Sequence, residues 1–469
     1  MKTLFNRFYL RVLIPVLLAP AAGFAQSQIT IGSTTVKVDT LITGLDVPWE
    51  MLHHNGSLWI TERRGRVSRI DTSTGIKRVL LRLTGTVVQQ SESGLLGMAL
   101  HPAFSTIPEV FLAYTYLNSG FIRERIVKYR YENDSLINPV ILINDLPGNS
   151  THNGCRLHFL PDTTLLASTG DVQNLSLPQD TGSLSGKILR MKTDGTAPQD
   201  NPFPGSLVYS FGHRNVQGIA SLPDGKIILS EHGASTDDEV QILQPGRNYG
   251  WPNVEGFCST PTENNFCAAN QVVEPIRAYT PTIAPSDMVF YENPFFPEWN
   301  NTLLITILKN KQVRAIRLNA ANDSVVSDMA YLSNRFGRLR DICVGANREI
   351  YLATNGASWA NTDPNTHSII RLRPVVVATT AKAQLFSTVS LKLFPNPASE
   401  SVEIQIGGSE ESGGSIDIIN AQGRVVFTRE ITGNQLILKT RELGKKGLYV
   451  VRYRNVAGQP GKAEMLRID

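Results

Sequence analysis

The feature that most constrains the fold of this chain is a hairpin that recurs along its length. Each copy is a β-rich run, a polar break and a second alternating run that ends in a turn, which is the pattern of two paired strands. Six copies occur, at 57–71, 109–135, 164–195, 226–246, 302–319 and 349–374. The segments between them show no sustained 3.6-residue apolar period, so the sequence predicts an all-β fold.

Repeated all-β units joined by long loops with Pro and Gly favour a propeller, because radial closure protects the edges of the sheets. We therefore predict a six-bladed β-propeller over residues 35–374. A β-sandwich is the competing architecture, but six similar hairpins fit it poorly. The length of 469 residues leaves room for one such large domain and one small one.

The N-terminal segment has the pattern of a secretory signal peptide. Lys2, Arg7 and Arg11 flank an apolar run that closes at a small-residue site ending in Ala25, so we predict a signal peptide over residues 1–25. A membrane anchor is the weaker alternative, because the run from Val12 to Ala22 is short and contains two prolines. No later segment is long and apolar enough to cross a membrane, so the mature protein is expected to be soluble and outside the cytoplasm.

Charge and cysteine content narrow the partners and the compartment. The formal net charge is only +4 and no Lys/Arg run occurs, which disfavours nucleic acid as a partner. Cys258 and Cys267 bracket a short loop, and in an oxidising compartment we expect them to form a disulfide. Metal binding is the weaker alternative, because no CxxC motif or nearby histidine pair completes a site. Cys155 and Cys343 are left as buried thiols or as a second bridge, and the sequence does not choose between them.

The composition changes after Pro374. Residues 375–390 read as a linker, and a new set of strands begins at 391 and continues to 469, enough for a small β-sandwich. The stretches "LFPNPAS", "IINAQGRVV" and "GLYVVRY" resemble the C-terminal sorting domain of the type IX secretion system. This resemblance implies contact with the type IX secretion machinery, export across the outer membrane, and then surface attachment or release. The other interpretation is an adhesive β-sandwich appendage.

One histidine and several distant cations are the candidate chemical groups of the larger domain. His152 lies among small polar residues, and a histidine can take a proton at neutral pH with little tuning. Cationic side chains near the ends of predicted strands can converge on one face of a propeller, and such a cluster would need an acidic ligand. The members of this set are Arg214, Lys309, Arg338 and Arg340, with Asn215 beside them.

Ordered stretches from about Leu41 to Arg373 resemble the soluble glucose/sorbosone dehydrogenase family. These are quinoproteins on a six-bladed propeller that use pyrroloquinoline quinone and calcium. The matching stretches include "WITERRGRV", "ESGLLGMALHP", "THNGCRLHFLPD", "GHRNVQG", "SEHGASTDDE", "NYGWPNVEG", "PTIAPSDM" and "NRFGRLRD".

The resemblance assigns roles to individual residues of this chain. It places His152 at the general base and Arg214 at the group that stabilises charge on the quinone oxygen. The positions that it implies for cofactor binding are Glu92, Asn215, Lys309, Arg338 and Arg340. It places Gly233 and Ala234 where backbone carbonyls hold calcium, and Glu239 and Tyr249 near a second, structural calcium site.

This sequence also departs from the family pattern. Glu92 stands where well-known members have a glutamine, and a carboxylate there would repel the carboxylates of the cofactor unless it is protonated or paired with a cation. Thr151 replaces an aspartate that commonly precedes the catalytic histidine. A tryptophan expected before "PTIAPS" is absent, and the nearby residues are Tyr279 and Thr280.

The leading hypothesis is a secreted dehydrogenase that oxidises the anomeric hydroxyl of an aldose to a lactone, with an external electron acceptor. Glu92 and Thr151 motivate a second hypothesis, a non-catalytic propeller that binds glycans or proteins at the cell surface. Hydrolysis is the third, because Asp237, Asp238 and Glu239 cluster, but this run reads more naturally as metal ligands and solvated turn residues.

Overall fold

The structure is a computed structural model that describes residues 27–356, 366–375, 390–407, 414–420, 424–443, 446–454 and 460–469. Two compact units are present, with the division after Val375. The predicted signal peptide at 1–25 lies outside the described residues, as does most of the predicted linker at 375–390. Across the described ranges, no helix is long and apolar enough to span a membrane.

The first unit is built almost entirely of strands, separated by one short helix. Its first half contains β1 (Ser27–Ile31), β2 (Thr34–Leu45), β3 (Pro48–His54), β4 (Ser57–Glu62), β5 (Arg66–Asp71), β6 (Lys77–Arg82), β7 (Leu95–Leu100), β8 (Glu109–Asn118), β9 (Phe121–Glu132), β10 (Ser135–Pro147), β11 (Gly154–Phe159), β12 (Leu165–Thr169), β13 (Lys187–Met191) and β14 (Val208–Phe211). Its second half contains β15 (Val216–Ser221), β16 (Ile227–Glu231), β17 (Asp238–Ile242), α1 (Pro261–Asn270), β18 (Arg277–Tyr279), β19 (Pro285–Tyr291), β20 (Thr302–Ile307), β21 (Gln312–Leu318), β22 (Val325–Tyr331), β23 (Leu339–Val344), β24 (Ile350–Thr354) and β25 (His367–Pro374).

These strands form six antiparallel sheets in succession. Five are four-stranded, namely β3–β6, β7–β10, β11–β14, β15–β18 and β19–β22, and the sixth has the order β1-β2-β25-β24-β23. Each predicted hairpin supplies the two strands that follow the first strand of a sheet. The first strands, β3, β7, β11, β15, β19 and β23, contact one another in a closed ring.

The N-terminal segment closes this ring by pairing with the C-terminal end of the unit. Val38 of β2 lies opposite Leu372 of β25, so the last sheet contains strands from both ends of the unit. Separate apolar cores fill the spaces between neighbouring sheets: Trp59 packs with Leu112, and Phe111 packs with Leu157. Each such fully buried side chain stabilises the fold by roughly 1.5–3 kcal/mol, so the packing between sheets maintains the ring.

The helix α1 was not expected from the sequence. None of its residues is buried, so it has no apolar face that a periodicity could reveal. It is stabilised locally instead, by a capping box in which Thr260 and Glu263 bond to each other's backbone, and by the disulfide. The predicted bridge between Cys258 and Cys267 is confirmed, whereas Cys155 and Cys343 are separate buried thiols.

The second unit consists of two small antiparallel sheets. Its elements are β26 (Ser390–Phe394), β27 (Ser401–Gly407), β28 (Gly414–Asn420), β29 (Val425–Ile431), β30 (Gln435–Lys439), a 3-10 turn (Thr440–Glu442), β31 (Gly447–Arg454) and β32 (Pro460–Ile468). One sheet has the order β26-β27-β30 and the other β29-β28-β31-β32. Both sheets contribute to one apolar core, which includes Ile404, Ile418 and Val451.

Candidate active site

A cavity of about 330 Å³ lies where the six first strands of the larger unit begin. Each of these strands contributes a residue at or beside its start, so the closed ring concentrates side chains from distant parts of the sequence around one opening. Those six residues are Trp49, Leu96, Gly154, Gln217, Ala284 and Arg340. The loops at the same end add Glu92, Asn153, His232, Leu308, Lys309 and Arg338.

His152 lies at the edge of this cavity, two residues before β11. Its backbone has φ 57°, and its carbonyl is so close to Gly170 that a Cβ added there would lie 1.8 Å from that oxygen. A side chain at 170 is therefore sterically excluded, and the loop after β12 packs directly against the histidine. The imidazole is 15% exposed, and the next residue, Asn153, lines the cavity.

Two side chains hold the imidazole, one at each nitrogen. Nδ1 lies 2.8 Å from Oδ1 of Asp171, and Nε2 lies 3.2 Å from NH2 of Arg214. A guanidinium can only donate, so Nε2 must be the acceptor and Nδ1 must carry the hydrogen that is donated to Asp171. With its hydrogen on Nδ1, the imidazole directs the lone pair of Nε2 towards the guanidinium of Arg214.

Asp171 is a buried carboxylate with several donors. Its Oδ1 also accepts from the backbone N–H of Gln173, at 2.8 Å, and its Oδ2 accepts from the indole Nε1 of Trp251, at 2.9 Å. Burial acts to raise the pKa of Asp171, but the hydrogen bonds from His152, Gln173 and Trp251 outweigh it and hold that pKa below its ordinary value. The carboxylate is therefore charged and available to orient His152.

Arg214 is fixed from its backbone outward. Glu231, at the end of β16, accepts hydrogen bonds from the backbone N–H groups of both Arg214 and Asn215. The Arg214 guanidinium donates to the carbonyl of His232, at 3.1 Å, and lies over the ring of Trp251, 5.3 Å from its centroid. These contacts place the cation beside His152, and no carboxylate among the described residues forms a salt bridge with it.

Arg338 and Arg340 line the cavity as buried cations. Burial lowers the pKa of both, and repulsion from Arg338 and Arg63 contributes to lowering that of Arg340 to about 9. Arginine does not lose its proton in proteins, so the lowered value reflects an unfavourable environment for the charge rather than a neutral side chain. An anion in the cavity would relieve this cost.

Glu92 is the acidic residue of the cavity lining, and its carboxylate has a structural contact. Oε2 accepts a hydrogen bond from the backbone N–H of His152, at 3.1 Å. Its negative charge also opposes the lowering of the pKa of Arg338 and of the nearby buried Arg63. Glu92 therefore lies within the electrostatic influence of Arg63, Arg338 and Arg340, and these three arginines outnumber its single negative charge.

The other predicted cofactor positions lie in the same region. Lys309 is exposed at the rim and donates to Oγ1 of Thr282, at 2.7 Å. Asn215 is buried behind the wall, where its Oδ1 accepts from the backbone N–H of Gly154 and from Gln217, both at 3.1 Å. Asn215 therefore positions the wall, whereas Lys309 presents a charge at the opening.

A second layer of charged side chains lies beneath the cavity. It is formed by the third residue of each of the strands β3, β11, β19 and β23. Arg156 contacts Glu50 at 2.6 Å, Asp341 at 2.9 Å and Asp287 at 3.5 Å. Its Nε donates to the carbonyl of Gln217, whose side chain accepts from Arg340. Burial raises the pKa of Glu50 to about 8, although Arg156 acts in the opposite direction. This acidic layer lies next to the cationic wall and forms the floor of the site.

The four residues predicted for calcium are divided between a loop and a buried layer. Gly233 follows His232 and donates its N–H to Asp238, at 2.8 Å, while Ala234 is exposed beside it. Glu239 is buried and accepts from Gly256, at 2.8 Å, and the hydroxyl of Tyr249 donates to the carbonyl of Ile242. In the ranges that the structure describes, no group of three or more His, Cys, Asp or Glu side chains has the geometry of a metal site.

Sequence reasoning missed several residues of the site. The missed residues are Asp171, Trp49, Trp251, Gln217 and His232. Trp49 and Gln217 lie in strands, and Asp171, Trp251 and His232 lie in loops, but none of them stands out in the sequence as a residue with a chemical role. Asp171 also resolves the departure at Thr151: the carboxylate that contacts His152 comes from the next loop, and Thr151 accepts a hydrogen bond from Gln173 instead. The hydroxyl of Tyr279 bonds to Asp328 in another strand, so it does not replace the missing tryptophan.

These features define the class of protein. The larger unit is a β-propeller with a histidine–aspartate pair beside a cavity that is lined by buried arginines, where the first strands of its sheets begin. The glucose/sorbosone dehydrogenase family model matches residues 45–360, and the chain belongs to this family. A secretion system C-terminal sorting domain matches residues 392–462.

Named relatives and solved structures agree with this assignment. The chain is 31% identical to aldose sugar dehydrogenase YliI of Escherichia coli, over 69% of this chain and 91% of that protein. It is 27% identical to quinoprotein glucose dehydrogenase B of Acinetobacter calcoaceticus, over 71% of this chain and 89% of that protein. The PQQ-bound aldose sugar dehydrogenase of Streptomyces coelicolor has a similar structure, with TM-score 0.63, 32% identity, and coverage of 72% of this chain and 97% of that one.

Proposed function

We propose that this protein is an exported quinoprotein that oxidises the anomeric hydroxyl of an aldose to a lactone by hydride transfer to pyrroloquinoline quinone. The observation that carries the proposal is the contact between Nε2 of His152 and Arg214, at the edge of a cavity lined by buried cations. An unprotonated imidazole nitrogen next to a fixed positive charge is suited to remove a proton from a hydroxyl while negative charge develops nearby.

The cavity fits an anionic cofactor. Arg338 and Arg340 are buried there, burial lowers the pKa of both, and Nε of Arg340 has no hydrogen-bond partner among the described residues. Lys309 adds a charge at the rim. Guanidinium groups match carboxylates and carbonyl oxygens well, so these three side chains would hold pyrroloquinoline quinone, with Glu92 and Asn215 positioning the wall around it.

The roles of the chain's own residues follow from their contacts. When bound, the quinone supplies a two-electron acceptor for hydride. His152 removes the hydroxyl proton at Nε2, and Asp171 stabilises the imidazolium that results because it accepts from Nδ1. Arg214 then faces the growing negative charge. The alcohol loses one hydride and one proton, which balances its conversion to the lactone.

Calcium is proposed as the second cofactor, held by the backbone carbonyls of Gly233 and Ala234. Both lie on the loop after β16. The residue before them, His232, accepts a hydrogen bond from Arg214 at its backbone carbonyl. Glu239 and Tyr249 line a small neighbouring cavity together with Glu231, Asp237 and Glu255, and burial followed by the charge of Glu231 raises the pKa of Glu239 to about 8. Oxygen donors of this kind suit Ca²⁺, and a cation would relieve the repulsion between the carboxylates.

We further propose that each of the six sheets is one blade of a six-bladed propeller over residues 35–374. The ring of first strands supports this proposal. The two sheets of the second unit, at 391–469, are proposed to pack as a β-sandwich over their common core. The match to a sorting domain supports export by the type IX route, following cleavage of a signal peptide at 1–25 and with secretion or surface attachment as the outcome.

The test is reconstitution. Purified protein is loaded with calcium and pyrroloquinoline quinone, and the reduction of an artificial dye is followed with a panel of aldoses, using the same protein without quinone as the control. Sugar-dependent dye reduction is expected only in the loaded protein. Failure to bind quinone together with failure to reduce dye with any sugar would contradict the proposal. Glycan binding that needs no quinone would then favour a non-catalytic propeller, which no contact in the cavity specifically supports.

A further inference from the structure

Trp251 touches both groups that hold the candidate base. Its indole Nε1 donates to Oδ2 of Asp171, at 2.9 Å, while the other oxygen of that carboxylate binds Nδ1 of His152, at 2.8 Å. The guanidinium of Arg214 lies over the face of the same indole, with its Cζ atom 5.3 Å from the ring centroid. NH2 of that guanidinium contacts Nε2 of His152. One side chain therefore bridges the partners of the two imidazole nitrogens.

The tryptophan is itself held in a fixed place. Its backbone N–H donates to the carbonyl of Gly212, at 3.0 Å, and its carbonyl accepts from the side chain of Gln179, at 2.7 Å. Gln179 and Asn248 are in turn paired through their amide groups. These contacts fix the backbone of Trp251, so the indole extends from an anchored point of the loop towards Asp171 and Arg214.

Without this support, both partners gain freedom. A carboxylate bound through one oxygen can rotate about its terminal torsion, which is a broad and soft degree of freedom. A guanidinium in a cavity can swing towards other acceptors unless its face is occupied, and a contact with an aromatic face contributes about 0.5–2 kcal/mol. The tryptophan limits both movements at once. Its side chain is only partly buried, so it is not a core residue of the propeller.

We propose that Trp251 is a positioning residue that fixes Asp171 and Arg214 so that His152 carries its hydrogen on Nδ1 and keeps Nε2 unprotonated. When the substrate binds, its hydroxyl replaces the Arg214 N–H at Nε2. The effect of Trp251 on turnover rests on the proposed dehydrogenase function. Its effect on the tautomer of His152 does not, because it can be measured in protein without quinone or sugar. No metal or cofactor needs to be present for the three contacts to exist.

The experiment compares Trp251→Phe, which keeps an aromatic face but removes the N–H donor, with Trp251→Leu, which removes both. Trp299→Phe is the matched control, because that tryptophan lies in an apolar core shared with Tyr291 and Phe296. The first readout is the ¹⁵N chemical shifts of the His152 ring in quinone-free protein. The wild-type and Trp299→Phe proteins are expected to show the Nδ1–H tautomer, and Trp251→Phe a mixture of tautomers.

The second readout is turnover of the loaded enzyme. Trp251→Phe is expected to lower kcat by about tenfold, with KM and quinone affinity within about twofold of wild type, and Trp251→Leu to lower kcat further. The proposal is overturned if Trp251→Phe retains both the tautomer and the kcat of the control. If no protein turns over, including wild type, the proposed function fails, and the tautomer measurement still decides the role of Trp251.

A measurement on the wild-type protein covers the case in which the variants do not fold. The indole proton of Trp251 should be shifted downfield and exchange slowly with solvent, because Asp171 accepts it. Both properties should be lost in Asp171→Ala. A wild-type indole proton that exchanges at the rate of a free tryptophan would overturn the proposal.

Discussion

His152 and Arg214 meet side chain to side chain, with NH2 of the guanidinium 3.2 Å from Nε2 of the imidazole. Because arginine cannot accept a hydrogen bond, this contact requires the lone pair of Nε2 to face the cation. The proton acceptor of the proposed reaction is therefore present before any ligand binds. The substrate hydroxyl has to replace the Arg214 N–H at this nitrogen, which is already unprotonated.

Replacement of His152 by alanine tests this role. We expect turnover to fall by at least about a hundredfold, the usual scale for the loss of a general base, while quinone affinity is retained because the cationic wall is intact. Steady-state kinetics and a quinone titration on the same preparation measure the two effects. His54→Ala, at the opposite end of β3 from the cavity, is the control. Near-normal turnover in His152→Ala would show that another group removes the proton.

Asp171→Asn removes the negative charge next to Nδ1 of His152 and keeps a side chain of the same size. We expect kcat to fall by at least about tenfold, because an amide no longer stabilises the imidazolium and can support the wrong tautomer. Quinone affinity should change little. Asp194→Asn, at an exposed turn, is the control. A variant that loses quinone binding but turns over normally at saturation would place Asp171 in the cofactor wall instead.

Arg340→Met tests whether the buried cations are kept for a ligand rather than for stability. Removing a buried guanidinium that Arg338 and Arg63 repel should raise the free energy of unfolding of the quinone-free protein, by about 1 kcal/mol. The same change should weaken quinone binding by at least about tenfold. Urea unfolding and a quinone titration measure the two effects, with exposed Arg335→Met as the control. A destabilised variant with unchanged quinone affinity would make Arg340 a structural residue.

Much of the fold could be predicted from the sequence, and the reasons are local. The alternation of apolar residues identified the six hairpins. Each of their strands lies in a sheet and turns at least one apolar face towards a neighbouring sheet, which gives a regular pattern in the sequence. The first strands of the sheets were less visible, since they carry the polar residues of the axis, such as Glu50, Arg156 and Asp287. Helix α1 was missed because its stability comes from caps and a disulfide rather than from an apolar face.

The site was predictable only where a residue type carries its own chemistry. His152 and the arginines stand out because imidazole and guanidinium groups have few roles in a buried polar loop. Asp171 and Trp251 could not be found in this way, because Asp171 contacts His152 across 19 positions of sequence and Trp251 contacts Asp171 across 80. Such contacts arise from closure of the ring, and a single sequence does not encode them as a local pattern.

The acidic floor predicts a pH dependence of stability. The pKa of Glu50 is raised by burial from 4.5 to about 8, so the folded state holds a proton that the unfolded state releases above about pH 4.5. Its contribution to the free energy of unfolding is therefore greatest at low pH and declines as pH rises towards 8. Glu50→Gln should flatten this decline, whose slope is at most about 1.4 kcal/mol per pH unit.

Urea unfolding between pH 5 and 8, followed by tryptophan fluorescence, measures this slope. All five tryptophans precede residue 375, so the signal reports on the first unit. Exposed Glu132→Gln is the control and should keep the wild-type slope. A Glu50→Gln variant as pH-dependent as wild type would assign the proton to Asp287 or Asp341 instead.

The most direct test of the central claim, that the cationic cavity binds pyrroloquinoline quinone, is an equilibrium titration of calcium-loaded protein followed by the quinone absorption spectrum. Wild-type protein should bind one quinone per chain saturably with a shifted spectrum, and a protein carrying both Arg338→Met and Arg340→Met should lose at least about tenfold in affinity. An unchanged quinone spectrum with wild-type protein, or equal binding by the double variant, would contradict the claim.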